Sequence, residues 1–217
     1  GVIVSDAVFS MDGDIAPLPD LMALGKKYGL LVMMDEAHAT GVIGKTGRGI
    51  VEHFALTEPP DILMGTMSKA LASEGGFVCG RQLLIDYLRN AARSFIFSTS
   101  LAPAVLGAAQ AALAIIEEEP ERVARLQENT RFFCQALREE GIDASSASAI
   151  VPIIIGDEDR AMKVARRLYK DGIFLSAIRY PTVARGSARL RAALMATHTE
   201  DELKEAAEKI ARAIRET

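Results

Sequence analysis

The sequence predicts an α/β fold: a largely parallel sheet followed by a smaller α/β domain. Two observations predict it. Short apolar runs alternate with segments of helical periodicity, the pattern of strands covered by helices on both faces. Polar residues also gather where those runs stop, at Ser5 to Asp14, Asp35 to His38 and Thr66 to Lys69. Ligands of open α/β sheets bind outside the carboxyl ends of the strands, so these three clusters are expected to converge on one crevice.

The elements follow in order. "GVIVSDAVF" is a β-branched run that reads as a strand already under way, and it begins with neither an initiator Met nor a charged leader. We expect a natural N-terminus further upstream. A helix is expected over Leu18 to Tyr28, then strands in "LLVMMDEAH", "DILMGTMSKA" and "GGFVCG". Two long helices come next, Pro103 to Glu118 and Glu121 to Glu140, the second with Val123, Leu126, Phe133 and Leu137 along one face. Beyond Gly141 the alternation restarts: strand "AIVPIIIG", helix Glu158 to Lys170, strands "IFLSAI" and "ARLRAALM", and a closing helix from Thr199 to Arg215. Thr199 with Glu202 forms a capping box, and the basic end of that helix suits its dipole. The expected division is 1–102 as part of a large domain, 103–140 as connecting helices and 141–217 as a small C-terminal domain.

Composition narrows the function classes. The 217 residues are 49% hydrophobic, enough to bury a core, and the net charge of -4 gives no general attraction to nucleic acid or anionic lipid. No run approaches the roughly 20 apolar residues that span a bilayer, since "LAPAVLGAAQAALAII" contains Pro103 and Gln110. Cys79 and Cys134 lie far apart without metal-binding spacing, so neither a disulfide scaffold nor a metal site is expected, and a reducing cytoplasm suits them.

"MMDEAHATGVIGKTGRG" contains the letters of two nucleotide-binding motifs. Asp35-Glu36-Ala37-His38 spells a helicase DEAH box, and Ala39 to Thr46 fits a loosened phosphate loop. The context opposes an ATPase. A phosphate loop must open a helix after Lys-Thr, whereas Gly47-Arg48-Gly49 follow here, and the acidic box precedes the supposed loop with almost no spacer.

Pyridoxal phosphate (PLP) chemistry explains more residues. It needs a Lys amine, a carboxylate on the pyridine nitrogen and donors for the phosphate. Asp35 and Lys69 both sit at expected strand ends, separated by room for one crossover. His38 lies within reach of the same place, and Thr66 and Ser68 flank Lys69 with hydroxyls. Each of these residues taken alone is more often a cap or a solvated charge. Ser10 and Asp12 in "FSMDGD" read as a turn, because Asp-Gly is a strong turn signal.

Taken together, "FSMDGDIAPL", "DEAHATGVIGKTGRG", "GTMSKALASEGGF", "RSFIFSTSLAP" and "AIRYPTVARGSARLR" resemble, in order, the α-oxoamine synthases. These are PLP-dependent transferases of fold type I. The resemblance implies that Lys69 carries the cofactor and moves a proton, that Asp35 pairs with the ring nitrogen, and that His38 and Ser10 bond its phenolic oxygen. Thr66 would bind phosphate, and Thr99 or Ser100 would reach the phosphate of a neighbouring subunit, which implies a homodimer. The activity implied is acyl transfer from a thioester of CoA or a carrier protein to an amino acid. Among Arg179, Arg185, Arg189 and Arg191, Arg191 is the expected partner of the amino-acid carboxylate, with Arg179 and Thr182 nearby. 5-Aminolaevulinate synthases resemble this motif but carry Asn where Arg179 stands. The chain departs from the family in having Ala39 and Ala72 where Gly is frequent. It also lacks the family's N-terminal part, so this stretch alone is expected to be inactive.

Overall fold

Three apolar runs form the parallel part of a sheet: Val2–Asp6 (β1), Leu31–Asp35 (β2) and Ile62–Thr66 (β3), hydrogen-bonded in that order. The computed structural model describes all of residues 1–217. Register puts Asp6 opposite Asp35, so β1 and β2 stop together on carboxylates. Gly76–Gly80 (β4) returns antiparallel along β3 and closes that edge, which makes the sheet mostly parallel.

The helix Leu18–Tyr28 (α1) joins β1 to β2, with Pro in its first turn and Lys26 and Lys27 in its last, where the helix dipole favours cations. Ile50–His53 (α2), Gln82–Ala91 (α3) and Arg93–Ile96 (α4) follow, then Pro103–Glu118 (α5). The short α2 and α4 give no periodic signal, and α3 has neither a side-chain cap nor a buried residue. None of the three is among the elements expected from the sequence, although α3 carries apolar Leu83, Leu84, Tyr87 and Leu88 at helical spacing.

The chain divides into two units: Gly1–Phe9 with Ile15–Val123, and Ser10–Asp14 with Ala124–Thr217. Glu121–Glu139 (α6), which belongs to the second unit from Ala124 on, leads to Ile150–Gly156 (β5), Glu158–Lys170 (α7), Ser176–Ile178 (β6), Ala188–Ala193 (β7) and Glu200–Arg215 (α8). The antiparallel sheet of this unit has the order β5-β7-β6. Alternation along β5 and β7 sends Val151, Ile153 and Leu190 inward, and α7 packs on all three strands and on α8. Val151, Ile153, Val164, Leu168, Leu190 and Ile210 are fully buried; each aliphatic of this kind contributes about 1.5–3 kcal/mol. Asp157 caps α7 by accepting the Arg160 N–H at 2.7 Å, and Thr199 with Glu202 forms the reciprocal box at α8.

Candidate active site

Because β1, β2 and β3 are parallel, their carboxyl ends bring Asp6, Asp35 and Thr66 to one edge of the first unit. Asp35 is held from two sides. Its Oδ1 accepts the Ala37 N–H at 2.8 Å, and its carbonyl accepts the Ala7 N–H at 2.8 Å. Asp6 reports the local field. Burial raises its pKa, the Asp35 charge raises it further, and the Lys69 cation lowers it. Asp35 and Lys69 therefore act on the same carboxyl group. Asp6 is a residue that sequence reasoning did not single out, although the strand-end rule that flagged Asp35 applies equally to "VSD". His38 lies half-buried on the turn after β2.

Lys69 sits on the loop from Met67 to Gly75. Met67 and Leu71 on either side of it are buried against Ala109 of α5, with Phe77, Leu101, Ala112 and Ile116 around them. Those anchors leave Ser68, Lys69 and Ala70 exposed. The loop is closed by Met67 N–H to the Gly75 carbonyl at 2.9 Å and Ser73 N–H to the Met67 carbonyl at 2.8 Å. The Thr66 hydroxyl donates to the Gly75 carbonyl at 3.1 Å and also accepts the Ser68 N–H at 3.2 Å. With its proton so placed, Thr66 Oγ1 receives the Ser68 hydroxyl at 2.7 Å. A hydroxyl pair thus stands beside the one amine on this loop. Thr99 and Ser100 are exposed in the stretch between α4 and α5.

The loop that carries the phosphate-loop letters is satisfied by the protein's own carboxylates. Glu52 accepts the Thr46 N–H at 2.9 Å, the Thr46 hydroxyl at 2.7 Å and the Arg48 N–H at 3.1 Å. Glu36, 4% exposed, accepts the Ile50 N–H at 2.9 Å and the Thr40 hydroxyl at 3.3 Å. The donors that a nucleotide phosphate would need at Thr46, Arg48 and Ile50 are therefore occupied, which argues against the ATPase reading. Gly49 has φ +80°, and a Cβ there would run into the Glu36 carboxylate.

In the second unit, Ser10 lies on the turn Ser10–Asp14, whose ends are joined by the Val8–Ile15 bridge of the first. The turn is held by an ion pair between Asp12 and Arg189. Arg189 and Arg191 are two apart on β7 and share a face. Arg191 is half-buried, its Nε is buried without a hydrogen-bond partner, and burial lowers its pKa. Arg179 and Thr182 are exposed; Arg179 donates to the Tyr180 carbonyl at 3.4 Å, and Arg185 lies 4.2 Å over the Tyr180 ring. A cavity of about 770 Å³ in this unit is lined by Arg191, Ser176, Ala193 and Phe174 among others, and by neither Lys69 nor Asp35. The structure thus gathers Asp35, His38, Thr66 and Lys69 in the first unit, and Ser10, Arg179, Thr182 and Arg191 in the second.

Comparison with known proteins decides the family. The description "Aminotransferase class I and II" matches residues 1–210. The chain belongs to that family. Its resemblance to the α-oxoamine synthases holds as well. It is 47% identical over 216 residues to the 8-amino-7-oxononanoate synthase of Symbiobacterium thermophilum, covering 99% of this chain and 55% of that protein. It is also 47% identical over 216 residues to 8-amino-7-oxononanoate synthase 1 of Bacillus subtilis, with the same coverage. Among solved structures it matches an SPT with a PLP internal aldimine, with TM-score 0.94 and 32% identity over 99% of this chain and 55% of the other. The 8-amino-7-oxononanoate synthase of Francisella tularensis matches with TM-score 0.84 and 31% identity, over 99% of this chain and 63% of the other. The fold is that of the fold-type I PLP-dependent transferases. The chain spans about half the length of the curated relatives it matches.

Proposed function

We propose that this chain carries the cofactor and amino-acid half of an 8-amino-7-oxononanoate synthase, a biotin-biosynthetic acyltransferase. The observation that carries the reading is the placement of Asp35 at the end of β2, level with Asp6 of β1, and of Lys69 on the anchored loop just beyond β3, near enough for both charges to act on Asp6. Those groups fit PLP. Lys69 would hold its aldehyde carbon, Asp35 its ring nitrogen, His38 and Ser10 its phenolic oxygen, and Thr66 its phosphate. When bound, the cofactor supplies an electron sink for the charge left at an amino acid's α-carbon.

The chain's own residues do the rest. Arg191 receives the carboxylate of the amino acid, which we take to be L-alanine, with Arg179 and Thr182 beside it. The Lys69 amine takes the α-proton and returns one later. Asp35, fixed by Ala37, keeps the ring nitrogen protonated. The acyl donor, pimeloyl-CoA or its carrier-protein equivalent, loses its thiol, and loss of carbon dioxide leaves the amino ketone. Thr99 or Ser100 would serve the phosphate of a second subunit. Phe95 and Phe97, 66% and 76% exposed just before them, support a covered homodimer face there. We place the enzyme in the cytoplasm; no helix is long and apolar enough to cross a membrane.

A second reading is another α-oxoamine synthase. The likeness to serine palmitoyltransferases, including that of Sphingomonas wittichii at TM-score 0.93, favours considering it; glycine C-acetyltransferase is a further alternative that rests on the family resemblance alone. Arg179 weighs against 5-aminolaevulinate synthase. An amino-acid panel on the full-length enzyme tests both: preference for alanine over serine and glycine supports the first reading, and preference for serine or glycine replaces it.

A further inference from the structure

Two guanidinium groups share one face of β7, and only one of them has a counter-charge. Arg189, its side chain 9% exposed, forms an ion pair with Asp12 and gives its Nε–H to the Ser187 carbonyl at 3.1 Å. Arg191, two residues on, has a buried Nε with no partner. Cα atoms two apart on a strand are separated by roughly 6.5 Å, so the two cations are near-equivalent receivers for an incoming carboxylate unless one is occupied. Asp12 is placed by more than its charge. The next residue, Gly13, has φ +74°, and a Cβ there would meet the Ile150 carbonyl and the Ser146 and Ser148 hydroxyls. The turn is seated against β5 in a way that allows no side chain at that point.

We propose that Asp12 is a positioning residue that occupies Arg189, so that Arg191 alone receives the substrate carboxylate. This rests on the assignment of Arg191 in the proposed function. A carboxylate held on Arg189 would set the α-carbon one strand repeat away from the position that Arg191 gives it, and binding there is non-productive. Asp12 and Arg189 are positioning residues in this account: neither touches the reacting atoms.

The test uses the full-length protein, with propionate as the carboxylate probe and the arginine Nε–H signals observed by NMR. In the parent protein propionate shifts the Arg191 signal and leaves Arg189 unmoved; in Asp12→Asn both signals shift. In turnover, Asp12→Asn lowers kcat and KM for alanine together, about tenfold, with kcat/KM preserved, as non-productive binding through a charge-assisted contact requires. Asp12→Asn combined with Arg189→Gln removes the second receiver and brings kcat back to within about threefold of the parent. An Arg189 signal that ignores propionate in Asp12→Asn, or a double variant no better than the single, overturns the inference and leaves the pair as a brace for the turn. An Arg191 signal that ignores propionate in the parent overturns both this inference and the carboxylate role of Arg191. Failure of the cofactor reading would show separately, as a Lys69 that takes no cofactor in the same preparation.

Discussion

Asp6 offers a residue-scale gauge of the site that needs no cofactor. Its pKa is raised by burial and by Asp35 and lowered by Lys69, so the neighbours can be removed one at a time. Asp35→Asn is expected to lower the Asp6 pKa, and Lys69→Ala to raise it, read by carboxyl carbon NMR; shifts of the opposite sign would separate these groups. Asp35→Asn should also nearly abolish turnover, since an amide cannot keep the ring nitrogen charged. Ala72 adopts φ +47°, where an L side chain is strained. Ala72→Gly is therefore expected to stabilise the Lys69 loop by about 1 kcal/mol in denaturant unfolding. That Asp35 and Thr66 close strands, with Lys69 on the loop just beyond, was legible in the sequence because apolar runs mark where strands stop. The Asp12–Arg189 pair was not. It joins residues at opposite ends of the chain, and no local periodicity reports such a contact.

At the scale of elements, the loop from Ala39 to Ile50 is organised by two carboxylates with opposite pH behaviour. Burial raises the Glu36 pKa above the ordinary 4.5, beyond what the Ile50 and Thr40 hydrogen bonds recover. The folded state therefore holds that proton more tightly, and this contribution to stability is full below pH 4.5 and lost as pH rises through the raised value. Burial of Glu52 is outweighed by its bonds from Thr46 and Arg48 and by the Arg48 charge, so its pKa is lowered. Its contribution is present above pH 4.5 and lost as pH falls through the lowered value. Unfolding free energy against pH should lose the first slope in Glu36→Gln and the second in Glu52→Gln. Gly49→Ala, which combines a left-handed φ with a collision on Glu36, should cost about 3 kcal/mol. The capping box at Thr199 and the periodicity of α7 and α8 were legible because both are local. The short helices α2 and α4 were not: their four residues each hold barely one turn, and Gly49, preceding α2, has a conformation set by a distant carboxylate.

At the scale of the whole molecule, alternation of strand and helix was enough to predict the α/β class, and a family-wide set of ordered motifs was enough to predict fold type I. Which residues share a unit was not. Ser10–Asp14 is grouped with a sheet more than a hundred residues away in sequence, through Asp12 and Gly13. The proposed homodimer carries a prediction at the exposed Phe95 and Phe97: the full-length enzyme is expected to sediment as a dimer, and Phe95→Asp with Phe97→Asp to shift it to monomer and weaken its hold on PLP. The measurement that tests the central claim most directly is borohydride reduction of the full-length enzyme as purified, followed by peptide mass mapping. A pyridoxyl group fixed on the peptide containing Lys69 is the predicted result; no adduct on any Lys after PLP is added, or an adduct confined to another Lys, would contradict the account.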